Sequence, residues 1–233
     1  MNDILVITAA NKKFKNMCDV LVRSLVDLRQ KYHVYDLGEL GYGEPFVGEV
    51  YEDAGRKIPS KPFMVKDALS KVNAGEYVVW MDADTILWQS LHGIQDRGSY
   101  DIGVTVRGVK FFNDQPINAG VMFFRKTEST LKFVDIWCQR MNKIDGTKQG
   151  RSDQREMNYF LRGNLPTNWT NEIVTIQNTR FKLFDCKIYN NWRFKKPQLH
   201  AKITHYKSSY RHNWPKRTID RGPKQEPRFT DLV

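Results

Sequence analysis

"EYVVWMDADTILW", residues Glu76 to Trp88, sets two carboxylates inside a strongly apolar stretch. Tyr77 to Met81 carries no charged residue on either face and reads as a strand buried on both sides. An ionised carboxylate taken out of water without a partner loses its hydration and gains nothing back. Asp82 and Asp84 therefore mark a strand end facing water, with Asp84 capping the next turn, or they share something positive.

Toward the N-terminus, "DILVITAA" reads as a second fully apolar strand, and Phe14 to Gln30 follows with helical spacing of Met17, Val20, Leu21, Ser24, Leu25 and Leu28. "YHVYDLGELGYG" is a strand running into a glycine-rich loop. Pro62 then opens a helix with Phe63, Val65, Ala68, Leu69 and Val72 on its apolar side. Strand, helix, strand, helix, strand is the pattern of a doubly wound, mostly parallel, Rossmann-like sheet covered by helices on both faces. Ligands of such sheets bind beyond the carboxyl ends of the strands, where "TAANKKF" and "DAD" both fall.

Past Trp88 the pattern is less regular. "DIGVTV" and "INAGVMFF" read as strands, Glu128 to Met141 as an amphipathic helix and Asp153 to Leu161 as a shorter one. "AKITHY" is a late strand ending at His205. After "HNW" no apolar period remains. The chain divides into one domain over residues 1–214 and a basic tail over 215–233. Trp80, Trp88, Trp137 and Trp192 read as packing residues.

With 233 residues, 40% hydrophobic and 12% aromatic, the chain is globular rather than disordered. No apolar run approaches the roughly 20 residues of a membrane span. The first ten residues do not resemble a signal peptide. Cys18, Cys138 and Cys186 show no paired spacing, which predicts reduced thiols, a cytoplasmic location and no zinc motif. The net charge of +11 is uneven: residues 1–179 hold 23 basic and 22 acidic residues, residues 180–233 hold 14 and 4. A basic C-terminal quarter suits a polyanion: nucleotide phosphates, nucleic acid, or an anionic membrane surface.

Two carboxylates at i and i+2, where a strand gives way to a loop, can turn toward one point. Hard oxygen donors suit Mg²⁺ or Mn²⁺ bridging to phosphate oxygens. The wider stretch resembles the GT-A glycosyltransferases, and most closely the glycogenin and retaining-galactosyltransferase type. "WMDADTIL" is similar to that family's metal-binding segment, "INAGVMFF" to its Phe-Asn-(Ser/Ala)-Gly-Val strand, "SDQREMN" to its Asp-Gln-x-x-x-Asn helix start, and "THYKSSYRHNW" to its His-x-x-Gly-x-x-Lys-Pro-Trp ending. The four motifs stand in the family's order across residues 3–214.

The resemblance implies a GT-A fold and transfer of a hexose from a nucleotide diphosphate donor, a UDP-sugar, to a hydroxyl of a glycan, protein or lipid-linked acceptor, with retention. It implies Asp82, Asp84 and His205 as ligands of Mn²⁺ (or Mg²⁺), with Ala83 between the acids. Arg211 stands where the family has its phosphate-binding lysine, and a guanidinium grips a diphosphate with two bonds. Ala10, Asn11 and Phe14 match the loop receiving the nucleoside, and Lys66 a lysine that approaches the donor. Asn118, Ala119 and Gly120 match the strand beside the donor sugar, and Asp153 and Gln154 the residues that place it for catalysis. Ser208 replaces the glycine after the histidine, Trp214 stands one residue late, and Gly150 stands where glycogenin-like members carry another acid.

Two rival readings fit less of the sequence. A sugar nucleotidyltransferase would place a glycine-rich basic loop after the first strand, and "TAANKKF" has no glycine. "YNNWRFKKP", Tyr189 to Pro197, interleaves aromatic and basic residues as a nucleic-acid binder does. Paired acids repel a phosphate backbone, so a nucleic-acid partner is not favoured.

Overall fold

A parallel strand pair joined through a helix has a fixed hand, and this decides where the helices lie. In the computed structural model, which describes residues 4–37, 61–95, 99–107, 116–142, 153–161, 165, 171–191 and 200–206, β1 (Ile4–Ala10) pairs in parallel with β2 (Lys31–Asp36) and with β3 (Tyr77–Met81). The chain thus moves from β1 outward to β2 and then back across β1 to β3. Right-handed crossovers in opposite directions put α1 (Lys15–Asp27) on one face of the sheet and α2 (Lys61–Lys71) on the other.

The remaining strands of the main sheet are β5 (Ile102–Val106), β6 (Ile117–Arg125), β7 (Ile173–Ile176) and β8 (Thr179–Asp185), in the order β2-β1-β3-β6-β5-β8-β7. Five of the seven run one way. The mostly parallel sheet expected from the sequence is present, with two exceptions: β6 lies antiparallel between β3 and β5, and β7 closes the edge as a hairpin with β8. Gln177 and Asn178, both at positive φ (49° and 63°), form the two-residue turn of that hairpin, which the sequence analysis did not anticipate. A separate ribbon pairs β4 (Thr85–Leu87) with β9 (Ile203–His205).

Strand alternation divides the core. Val78 and Trp80 of β3 pack with Val65 and Leu69 of α2, and with α3 (Glu128–Asn142) and α4 (Asp153–Leu161) through Val134, Trp137 and Met157. Tyr77, Val79 and Met81 point the other way, onto Leu21 and Leu25 of α1. Each fully buried aliphatic or Phe side chain is worth about 1.5–3 kcal/mol, so two such layers hold the sheet without disulfides. Cys18, Cys138 and Cys186 are buried free thiols. No helix among the described residues is long and apolar enough to cross a membrane.

Candidate active site

The strand order reverses between β1 and β3, and the crevice at the carboxyl ends of those two strands is where open α/β sheets bind ligands. Ala10 ends β1, and the sequence Asp82–Ala83–Asp84 leaves β3 beside it; Ala10 and Ala83 pack together with Phe14 and Cys18. The acids sit in a tight turn in which Asp82 O accepts from Thr85 N (3.0 Å) and from Thr85 Oγ1 (2.7 Å). That turn converts β3 into β4. Because Thr85 pairs with His205 across the β4–β9 ribbon, a histidine from the far end of the chain is delivered to the acids.

His205 Nε2 lies 2.9 Å from Asp84 Oδ1 and 3.5 Å from Asp82 Oδ2. One ligand atom from each of the three residues falls within 4.8 Å of the others. Asp84 is 3% exposed and His205 1%. Two carboxylates and an imidazole converging out of water form an arrangement that a divalent cation stabilises. The donor set, two hard oxygens and one imidazole nitrogen, fits Mn²⁺ or Mg²⁺. Asp82, Asp84 and His205 are therefore the residues that could hold the metal.

Asp82 is steered by two donors. Trp80 Nε1 donates to its Oδ1 at 2.8 Å, and Lys61 Nζ reaches the same oxygen at 2.8 Å, leaving Oδ2 to face His205. Lys61 also binds Ala119 O (3.0 Å), approaches Asp153 Oδ2 (3.5 Å) and lies over the Trp80 ring, 5.5 Å from its centroid. Burial works against its ammonium, but Asp153 and Asp82 outweigh that and hold its pKa well above the ordinary lysine range.

The strand β6 is irregular where it borders the site. Val104 of β5 faces Met122, yet the next residue, Thr105, faces Asn118, so the register with β5 skips Ala119, Gly120 and Val121, while Val121 still pairs with Met81 of β3. Asp82 N donates to Gly120 O at 2.8 Å. A Cβ on Gly120 would fall on Cε1 and Nδ1 of His205, so only glycine lets the ring seat here. Helix α4 is strapped to this bulge. Asn158 binds both the N–H (2.8 Å) and the carbonyl (3.1 Å) of Ile117, and Gln154 Oε1 accepts from Ala119 N (3.2 Å). The strap brings Asp153, at the helix start, to Lys61.

Of the residues expected from the sequence, Ala10, Asn11, Phe14, Asp82, Ala83, Asp84, Ala119, Gly120, Asp153, Gln154 and His205 lie around the carboxyl ends of β1 and β3. Asn11 closes the turn at the end of β1, its carbonyl accepting from Phe14 N at 3.0 Å. Two residues are placed otherwise. Lys66 is 57% exposed and pairs with Asp135 of α3 at 2.7 Å, away from the acids. Lys61 is the lysine of α2 that reaches them. Helix α2 runs antiparallel to β3, so its first residue lies at the carboxyl edge of the sheet, while five residues further on the helix has advanced about 7.5 Å and turned to another face. Asn118 is fully buried, with its side chain turned inward to Gly120 N (3.2 Å) and Cys186 Sγ (3.8 Å), where it supports the wall of the site. Arg211 lies outside the described residues, as do Gly150, Ser208 and Trp214. Sequence reasoning missed Lys61, whose signal was its place just before the helix-opening Pro62, and it took Trp80 for packing alone.

The family description "nucleotide-diphospho-sugar transferase" matches residues 65–212, well over half of the chain. Among solved structures, a glycosyltransferase involved in the glycosylation of the major capsid of PBCV-1 is similar over 92% of this chain and 98% of that one, at 12% identity and a TM-score of 0.57. The glycosyltransferase GlyE of Streptococcus pneumoniae TIGR4 is similar over 90% of this chain and 55% of its own, at 13% identity and a TM-score of 0.57. An active-site mutant of LgtC is similar over 88% and 87%, at 13% identity and a TM-score of 0.50. No curated protein sequence matches. The chain belongs to the nucleotide-diphospho-sugar transferase family, and its fold is the GT-A fold of glycosyltransferases.

Proposed function

We propose that the protein transfers a hexose from a UDP-hexose to a hydroxyl of a glycan, protein or lipid-linked acceptor, with retention and in dependence on Mn²⁺ (or Mg²⁺). The observation that carries this reading is the meeting of Asp82, Asp84 and His205 at the reversal of strand order. A cation held there by Asp82, Asp84 and His205 would supply positive charge for the departing diphosphate. The loop of Ala10, Asn11 and Phe14 receives the nucleoside, Phe14 offering a face for the base. Asp153 and Gln154 hold the sugar so that its anomeric carbon faces the acceptor. Arg211 grips the diphosphate, and Lys61 stands between the carboxylates of Asp82 and Asp153 and offsets their mutual repulsion.

In the transfer the bond between the anomeric carbon and the diphosphate oxygen breaks, and the acceptor oxygen forms the new bond on the same face. The acceptor's proton passes to the departing phosphate oxygen. Residues 1–214 act as one domain, and the basic tail over 215–233 is a solvated extension of it. Free thiols at Cys18, Cys138 and Cys186 fit a reducing, cytoplasmic setting. The test is hydrolysis and transfer of UDP-hexoses with and without Mn²⁺, with NMR of the anomeric product. Asp82→Ala combined with Asp84→Ala should abolish the Mn²⁺-dependent reaction; full activity in that variant would remove the metal site.

A further inference from the structure

His205 is held from behind as well as from the front. Its Nδ1 lies 2.8 Å from Oδ1 of Asn190, a fully buried residue that follows α5 (Cys186–Tyr189). The direction of that amide is fixed at its other end. Asn190 Nδ2 donates to Thr105 Oγ1 at 2.8 Å and to the carbonyl of Asn118 at 3.3 Å, and a carbonyl can only accept. Thr105 gives its own proton to that same carbonyl at 2.7 Å, so its oxygen is an acceptor toward Asn190. Both partners require the amide nitrogen, which leaves the amide oxygen against the imidazole. An amide oxygen accepts, so Nδ1 of His205 carries the proton. The lone pair of the neutral ring then belongs to Nε2, the atom that faces Asp84 and Asp82.

We infer that Asn190 is a positioning residue that fixes His205 as the Nδ1–H tautomer and so presents Nε2 as a ligand to the divalent cation. The inference rests on the metal reading above. Which ring nitrogen is free to bind a metal is set by the hydrogen bond the other one makes. Gly120 sets where the ring sits, and Asn190 sets which way it faces. Without Asn190 the neutral ring can place its proton on Nε2 and donate it to Asp84 across the same 2.9 Å, an ordinary hydrogen bond that uses up the ligand atom. Thr105 and the Asn118 carbonyl are in reach of Asn190 because the β6 bulge brings Asn118 opposite Thr105. The irregular strand and the buried amide thus serve one ligand.

The experiment titrates the full chain with Mn²⁺ in the presence of UDP, following free Mn²⁺ by EPR, for wild type, Asn190→Ala and Asn190→Asp. Asn190→Ala should weaken Mn²⁺ binding by about 10–100-fold, while Asn190→Asp, which loses the amide donor to Thr105 and the Asn118 carbonyl but keeps an acceptor for Nδ1–H, should hold the proton on Nδ1 and bind Mn²⁺ more tightly than Asn190→Ala. Ring ¹⁵N NMR of the Mg²⁺-loaded protein should show the His205 proton on Nδ1 in wild type and redistributed in Asn190→Ala. Wild-type affinity and an unshifted tautomer in a folded Asn190→Ala would overturn the inference while leaving the metal reading intact. Absence of Mn²⁺ binding in the wild type would overturn both. If Asn190→Ala does not fold, a proton found on Nε2 of wild-type His205 still refutes the role.

Discussion

Lys61 and Asp82 are joined by an ion pair of 2.8 Å at the edge of the metal-ligand cluster, with the lysine side chain 16% and the aspartate 22% exposed. A positive charge built into the protein thus sits on one oxygen of an acid whose other oxygen faces His205. Lys61→Met should lower stability by about 1.5–3 kcal/mol, the range for hydrogen bonds to charged groups. The loss should shrink when Mn²⁺ is added, because the cation supplies charge to Asp82. Lys66→Met, which breaks only the exposed pair with Asp135, should change stability by about 0.2–1 kcal/mol and leave Mn²⁺ binding unaltered. Urea unfolding of both variants with and without Mn²⁺ measures each effect.

Gly120→Ala places a methyl on the His205 ring. Overpacking of this kind costs about 1–3 kcal/mol, and here the ring must move to relieve it. The variant should be less stable and bind Mn²⁺ more weakly, read by thermal unfolding and Mn²⁺ titration. A fully stable variant with wild-type affinity would show that β6 does not press on His205.

Asn158→Ala removes both side-chain bonds to Ile117 and leaves a buried N–H and carbonyl to find new partners. An unsatisfied buried group costs about 1–3 kcal/mol. The loss should appear in urea unfolding together with a fall in transfer rate, since Gln154 and Asp153 ride on the same helix. Tyr159→Ala, one residue further on and 63% exposed, should leave the rate unchanged.

Cys18 and Cys138 give a pH dependence. Burial, with Asp19 adding to it at Cys18, pushes both thiols from about 9 up to about 11. The folded protein keeps both neutral where the unfolded chain ionises, so unfolding releases protons. Stability from this source is complete below pH 9 and declines as the pH rises toward 11. Chemical denaturation between pH 8 and 11, compared with a Cys18→Ala, Cys138→Ala double variant, should show a shallower decline in the variant.

The layered sheet was legible because β1, β3 and α1 are governed by local rules: an apolar run buried on both faces, or one apolar face every 3.6 residues. The acids were legible because charge at the end of such a run has few explanations. What stayed hidden depends on pairing over distance. The β6 direction is invisible in "INAGVMFF", because a strand buried on both faces has the same composition whichever way it runs. Lys61 and Lys66 share a helix, and only the antiparallel placement of α2 against β3 separates the one at the site from the one on the surface. Asn190 carries no local mark at all. Its role exists only once Thr105, Asn118 and His205 have been assembled around it.

The ribbon of β4 and β9 has a consequence for biosynthesis. The two aspartates leave the ribosome long before the histidine that completes their set, since Thr85 waits for His205 to pair with it. A nascent chain halted before Ile203 has the acidic turn but neither the imidazole nor the ribbon that aligns it. Assembly of the Asp82, Asp84 and His205 set is therefore a late event of maturation, complete only once the polypeptide has been made and closed as far as β9.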